Sequence, residues 1–141
     1  MSKTINTKID DGILMFTFTN NQNEIFASFR LNPTDVNIAA RAEEVSAFFE
    51  KTEETVKNVT SAKEAAKLNE LIQDKINYLL GYEASKDLFR EPITATTVFG
   101  NGQMFANIVL DKVADAIAPE IEKRRKKMQA EVDKYTEKYT K

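Results

Sequence analysis

Cysteine, histidine and tryptophan are all absent from this 141-residue chain. Without cysteine there is no disulfide framework, and without Cys or His the usual zinc ligand sets are excluded. The side chains most often used as nucleophile and general base near neutral pH are missing with them. Any catalysis would fall to carboxylates, lysine, serine or tyrosine. Glycine (4) and proline (3) are scarce. The one glycine pair, in Phe99-Gly100-Asn101-Gly102, fits neither G-x-G-x-x-G nor G-x-x-x-x-G-K-[ST], so it reads as a corner rather than a phosphate cradle. No run of 18 apolar residues occurs, so no membrane-spanning helix is expected. Met1 to Asn6 carries no apolar signal region, and the expected location is the cytoplasm. An excess of one charge sign is lacking too. The 20 Lys+Arg and 22 Asp+Glu sum to a net charge of −2, without the positive field that nucleic-acid binding needs. No cofactor, metal, nucleic acid, membrane or small-molecule substrate is expected.

The remaining composition builds a core. Ile13 to Thr19 is rich in aromatic and β-branched residues and follows the turn Asp10-Asp11-Gly12, which predicts a strand. Asn20 to Asn23 is turn material, and Ile25 to Leu31 is a second strand. The pair reads as a β-hairpin, with Leu14, Phe16 and Phe18 on one face of their strand and Ile25, Ala27, Phe29 and Leu31 on one face of theirs. Two strands alone are marginal in water, so the hairpin must lie on helices or borrow strands from another subunit.

Asn32-Pro33 has the form of a helix start, with Asn32 as N-cap and Pro33 in the first turn. The helix is predicted to run to about Lys57 and to bury Val36, Ala39, Ala40, Val45, Phe48, Phe49 and Val56. Ser61 and Glu64 match a capping box. The helix they open would bury Ala65, Leu68, Leu71 or Ile72, Ile76, and Leu79 or Leu80, and Gly81 is its C-cap or a soft point before a last turn. Pro92 ends that reading, because the residue before proline avoids the α region. Thr94 to Phe99 reads as a short turn or hook. After the glycine corner, Met104, Phe105, Ile108, Val109, Val113, Ala116 and Ile117 recur at three and four, the mark of a core-facing helix. Pro119 is expected to kink or restart it.

Beyond Pro119, Ile121, Arg125, Met128, Val132, Tyr135 and Tyr139 advance by 4-3-4-3-4. That is the a/d spacing of a short coiled-coil seam. Aromatic tips at the end of such a seam suit an external contact, so these six residues are the candidate protein-binding site. The basic run Lys123 to Lys127 reads as a solvated helix face, since consecutive residues splay around the axis. The acidic pairs Asp10-Asp11, Glu43-Glu44 and Glu53-Glu54 likewise read as surface charge.

The expected fold is α+β, mainly α, in a single domain over 1–141. A hairpin (1–31) packs on a three- to four-helix bundle with a long, kinked C-terminal helix; 32–98 is helical, and the C-terminal helix (99–141) projects after Pro119. Several stretches carry a resemblance: Leu88-Phe89, Thr97-Val98-Phe99-Gly100-Asn101, Ile117-Ala118-Pro119-Glu120-Ile121-Glu122-Lys123-Arg124, and Lys134-Tyr135-Thr136. Together they resemble the small tail assembly chaperones of long-tailed phages and prophages of Gram-positive bacteria. The resemblance implies a non-catalytic role in the host bacterial cytoplasm. The tape measure protein and the tail tube protein would be partners, with self-association into a homo-oligomer as a further expectation. Two alternatives stay open. One is a structural or adaptor subunit of a phage tail or mobile element. The other is a small carboxylate-dependent enzyme.

Overall fold

The computed structural model describes residues 2–139, with side chains to residue 138. Two strands, β1 (Leu14–Thr19) and β2 (Ile25–Leu31), are followed by α1 (Val36–Lys57), α2 (Ala62–Leu80), the short α3 (Tyr82–Ser85) and α4 (Phe105–Tyr139). This is the α+β, mainly helical architecture expected from the sequence.

The hairpin is antiparallel, with Phe16 opposite Phe29 and Phe18 opposite Ala27. Its loop is closed by Asn20, whose side-chain oxygen accepts from the Gln22 and Glu24 backbone N–H groups at 2.9 and 3.0 Å. Asn23 takes the left-handed conformation, φ 63°, which asparagine tolerates better than most residues. A register shift between Phe18 and Thr19 leaves Ile25 exposed, while Ala27, Phe29 and Leu31 are buried. The hairpin lies on this chain's own helices: β2 packs against α2 and α3, and Ser28 N–H donates to the Asp87 carbonyl at 3.1 Å.

α1 begins later than expected. Asn32 does not cap it. Its side-chain oxygen instead accepts from Thr34 N–H and Oγ1 at 3.1 and 2.8 Å, closing a turn. Asp35 is the N-cap, accepting from Asn37 N–H at 2.9 Å. Two potential caps stand three residues apart, and the first is consumed by its own turn. The buried face of α1 also differs from the expected stripe. It is Ile38, Ala42, Val45 and Thr52, with Phe48 and Phe49 half-buried, while Val36, Ala40 and Val56 are exposed. The buried Thr52 hydroxyl is satisfied by the Phe48 carbonyl at 2.7 Å.

α2 opens as expected, with Ser61 Oγ accepting from Glu64 N–H at 3.1 Å. The Glu64 carboxylate reaches back to Thr60 N–H at 3.2 Å, one residue before the cap. Ile72, Ile76, Leu79 and Leu80 are buried; Ala65 and Leu71 are exposed. Gly81 ends the helix at φ 90°, a conformation favourable only for glycine.

The segment before α4 is a clasp. Val98 pairs with Met104, and Phe99 N–H donates to Gln103 C=O at 2.9 Å. Thr94 and Thr97 close a turn, and Asn69 of α2 accepts from Thr96 N–H at 3.1 Å. The carbonyls of Thr97 and Ala95 then take the Phe105 and Ala106 N–H groups at 2.8 and 2.9 Å. Those are orphan donors of a helix start, so the loop fixes where α4 begins. Phe105 is fully buried and touches the rings of Phe18, Phe26, Phe89 and Phe99. α4 runs 35 residues and continues through Pro119 without a break, so the expected restart does not occur.

Replacing Phe105→Ala removes the ring at the junction of hairpin, clasp and helix. It is expected to destabilise the fold by roughly 3–5 kcal/mol, measured by urea unfolding. A loss below about 1 kcal/mol would place that ring outside the core.

Candidate protein-binding surface

α1 and α4 run antiparallel with their bases level. One cavity joins Phe49, Thr52 and Val56 of α1 to Met104, just before α4, and to Asn107 and Asp111 of α4. A second joins Pro33, Val36, Ala40 and Glu43 to Glu120, Ile121, Arg124 and Met128. The start of α1 therefore lies beside residues 120–128 of α4, and among the described residues no side chain of α4 beyond Arg124 is covered. Ile117 is the last buried residue of α4, Glu120 and Arg124 are half-buried, and every side chain from Arg125 to Lys138 is exposed. The helix projects by about 20 Å, at 1.5 Å per residue.

Four apolar members of the expected seam are solvent-facing: Ile121 is 48% exposed, Met128 62%, Val132 57% and Tyr135 60%. Their spacing puts them on one face. The Tyr139 side chain lies outside the described residues. Arg125 sits in the same row, but its head is held by Glu122, with Nη2 and Nε donating to the carboxylate at 2.8 and 3.3 Å. That hydrogen bond, together with its charge attraction, lowers the Glu122 pKa from its ordinary value and raises that of Arg125. The basic run is divided. Lys123 pairs with Glu120 at 3.5 Å, Arg125 pairs with Glu122, and Arg124 lines the α1 groove. Exposed, solvent-screened pairs of this kind add little to stability.

The groove at the start of α1 has a volume of about 410 Å³ and continues onto Met128, from which a shallow apolar surface extends over Val132 and Tyr135. Val36, Ala40 and Arg124 belong to this surface. Sequence reasoning placed Val36 and Ala40 in the core and left Arg124 out. The row Ile38, Ala42, Val45, Phe49 and Thr52, stepping by four and three, is the signal that turns them outward. The largest cavity, about 690 Å³, lies at the other end of the α1–α4 pair. Glu50, Glu53 and Asp111 line it among apolar neighbours, but among the described residues no three Asp or Glu side chains converge as a metal site. No helix among the described residues is long and apolar enough to cross a membrane. No protein-family model, curated protein or solved structure matches the chain.

Because Val132 and Tyr135 are exposed in the single chain, Val132→Ala with Tyr135→Ala is expected to leave the melting temperature of the dilute chain within about 2 °C of the parent. A larger fall that persists on dilution would assign the seam to the core, whereas one that appears only in concentrated samples reports self-association. A lowered Glu122 pKa means its pairing with Arg125 is present above the ordinary carboxylate range. The pairing is lost as pH falls through the folded value. An NMR pH titration is expected to show Glu122 protonating below a free glutamate and returning to the ordinary value in Arg125→Gln.

Proposed function

We propose that this chain is a non-catalytic tail assembly chaperone of the long-tailed phage type. In this reading it binds a tape measure protein in the cytoplasm of a host bacterium and helps recruit tail tube subunits. The observation that carries the reading is the unsupported end of α4, with Met128, Val132 and Tyr135 about 60% exposed on one helical face. A folded body that holds an apolar helical stripe in solvent presents a surface suited to long apolar helices. A tape measure is such a client, and its stripes would aggregate if left uncovered. The resemblance of Leu88-Phe89, Thr97 to Asn101, Ile117 to Arg124 and Lys134 to Thr136 to the chaperone family supplies the client's identity. The alternative, a structural or adaptor subunit, uses the same face for a permanent homo-oligomeric contact.

Affinity capture during tail assembly separates the two. The chaperone is expected to retain one very long helical polypeptide, to lose it in the Val132→Ala, Tyr135→Ala double variant, and to be missing from finished particles. Stoichiometric recovery in finished particles would favour the structural subunit. Finding neither a long client during assembly nor the chain in finished particles would overturn both.

A further inference from the structure

The seam has two unlike halves. Around Ile121 it borders the groove beside α1, which the small, exposed Ala40 helps line, and Ala118, also exposed, stands three residues before Ile121 on the same helical face. From Met128 to Tyr135 it is bare, bulky and unsupported. We propose that the bare half of one copy lies in the grooved half of another. The two copies form a symmetric antiparallel dimer in which each α4 tail docks against the α1–α4 groove of its partner.

Direction and register follow from side chains. A parallel pair sets Arg125 against Arg125 on the axis and leaves both grooves empty. An antiparallel pair with Arg125 facing Met128 sets Val132 on Ile121 and the Tyr135 ring on the small Ala118. In that register Arg124 flanks Glu131 of the other copy, and twofold symmetry makes the contact twice. Lys134 comes level with Glu43 and Glu120, the acidic residues that line the groove. Sliding by one step, to Met128 facing Val132, brings Glu131 beside Glu131. Charge complementarity therefore selects a single register. Glu122 draws the Arg125 head to the side of the row, so the Met128 side chain meets its aliphatic stem. This pairing uses only the geometry and charges of the chain and stands apart from the identity of any client.

Sedimentation of the full chain is expected to show a concentration-dependent dimer. Arg124→Glu should raise its dissociation constant roughly tenfold or more, and adding Glu131→Arg should restore it. As the chain lacks cysteine, Ala118→Cys with Tyr135→Cys is expected to give a disulfide-linked dimer on mild oxidation. Neither single variant should do so, since the two Ala118 positions stand about 26 Å apart along the pair. Circular dichroism confirms that each variant is folded. The proposal is overturned by a monomer up to millimolar concentration, by a double charge reversal that fails to restore pairing, or by Ala118→Cys cross-linking alone. A monomer that still captures a long client removes the dimer and keeps the chaperone reading. A dimer that captures none does the reverse.

Discussion

Five phenylalanine rings from five separate stretches meet where α4 begins. Phe18 comes from β1, Phe26 from β2, Phe89 from the turn after α3, and Phe99 from the glycine corner. They surround Phe105 at centroid distances of 5.2 to 5.9 Å. Edge-on geometry with Phe18, Phe89 and Phe99 places positive ring edges against negative faces. This contact gives the hairpin something to lie on. It also sets the axial position of α4, because the clasp carbonyls of Ala95 and Thr97 bind the first amides of the helix. With its base fixed there, and with α1 only 22 residues long against 35 for α4, the overhang is a matter of length. The body ends before the helix does.

The overhang holds two tendencies in balance. Its apolar row would favour burial, at about 25 cal/mol per Å² removed from water. Its flanks keep it in solution. Glu120–Lys123 and Glu122–Arg125 pair along the helix, and Gln129 bonds to Asp133 at 2.9 Å. These local ties support a helix that has no tertiary packing. Each is weak, which suits a surface that forms contacts and gives them up.

Much of this architecture is legible in the residues themselves. Alternation in Ile13 to Leu31 marks the hairpin, Ser61 marks the start of α2, Gly81 marks its end, and the three-four recurrence from Met104 to Ile117 marks the buried part of α4. The spacing from Ile121 to Tyr135 is legible too, since its 4-3-4-3 steps lie on one exposed face. The start of α1 is not, because Asn32 and Asp35 are equally good caps until the turn at Asn32 forms. The stripe of α1 is ambiguous as well, since apolar residues stand on both sides of its buried row, and so Val36 and Ala40 read as core. The phenylalanine cluster is equally hidden: its members lie up to 87 residues apart in the chain, and no local pattern reports which rings will meet. The length of the overhang is a tertiary fact as well, decided by where the neighbouring helix stops.

Pro119 stands two residues beyond Ile117, where burial ends. Lacking an N–H, it cannot donate to the carbonyl four residues earlier. The rod therefore lacks one backbone tie shortly before the stretch that leaves the body, and small rotations there are magnified outward like those of a fishing rod. A tilt of about 5° at Pro119 carries the far tip sideways by about 2.5 Å, over the roughly 28 Å that separate the two. That sweep is half the pitch of a helical turn, enough for the tip to search neighbouring turns of a second rod while the base stays still.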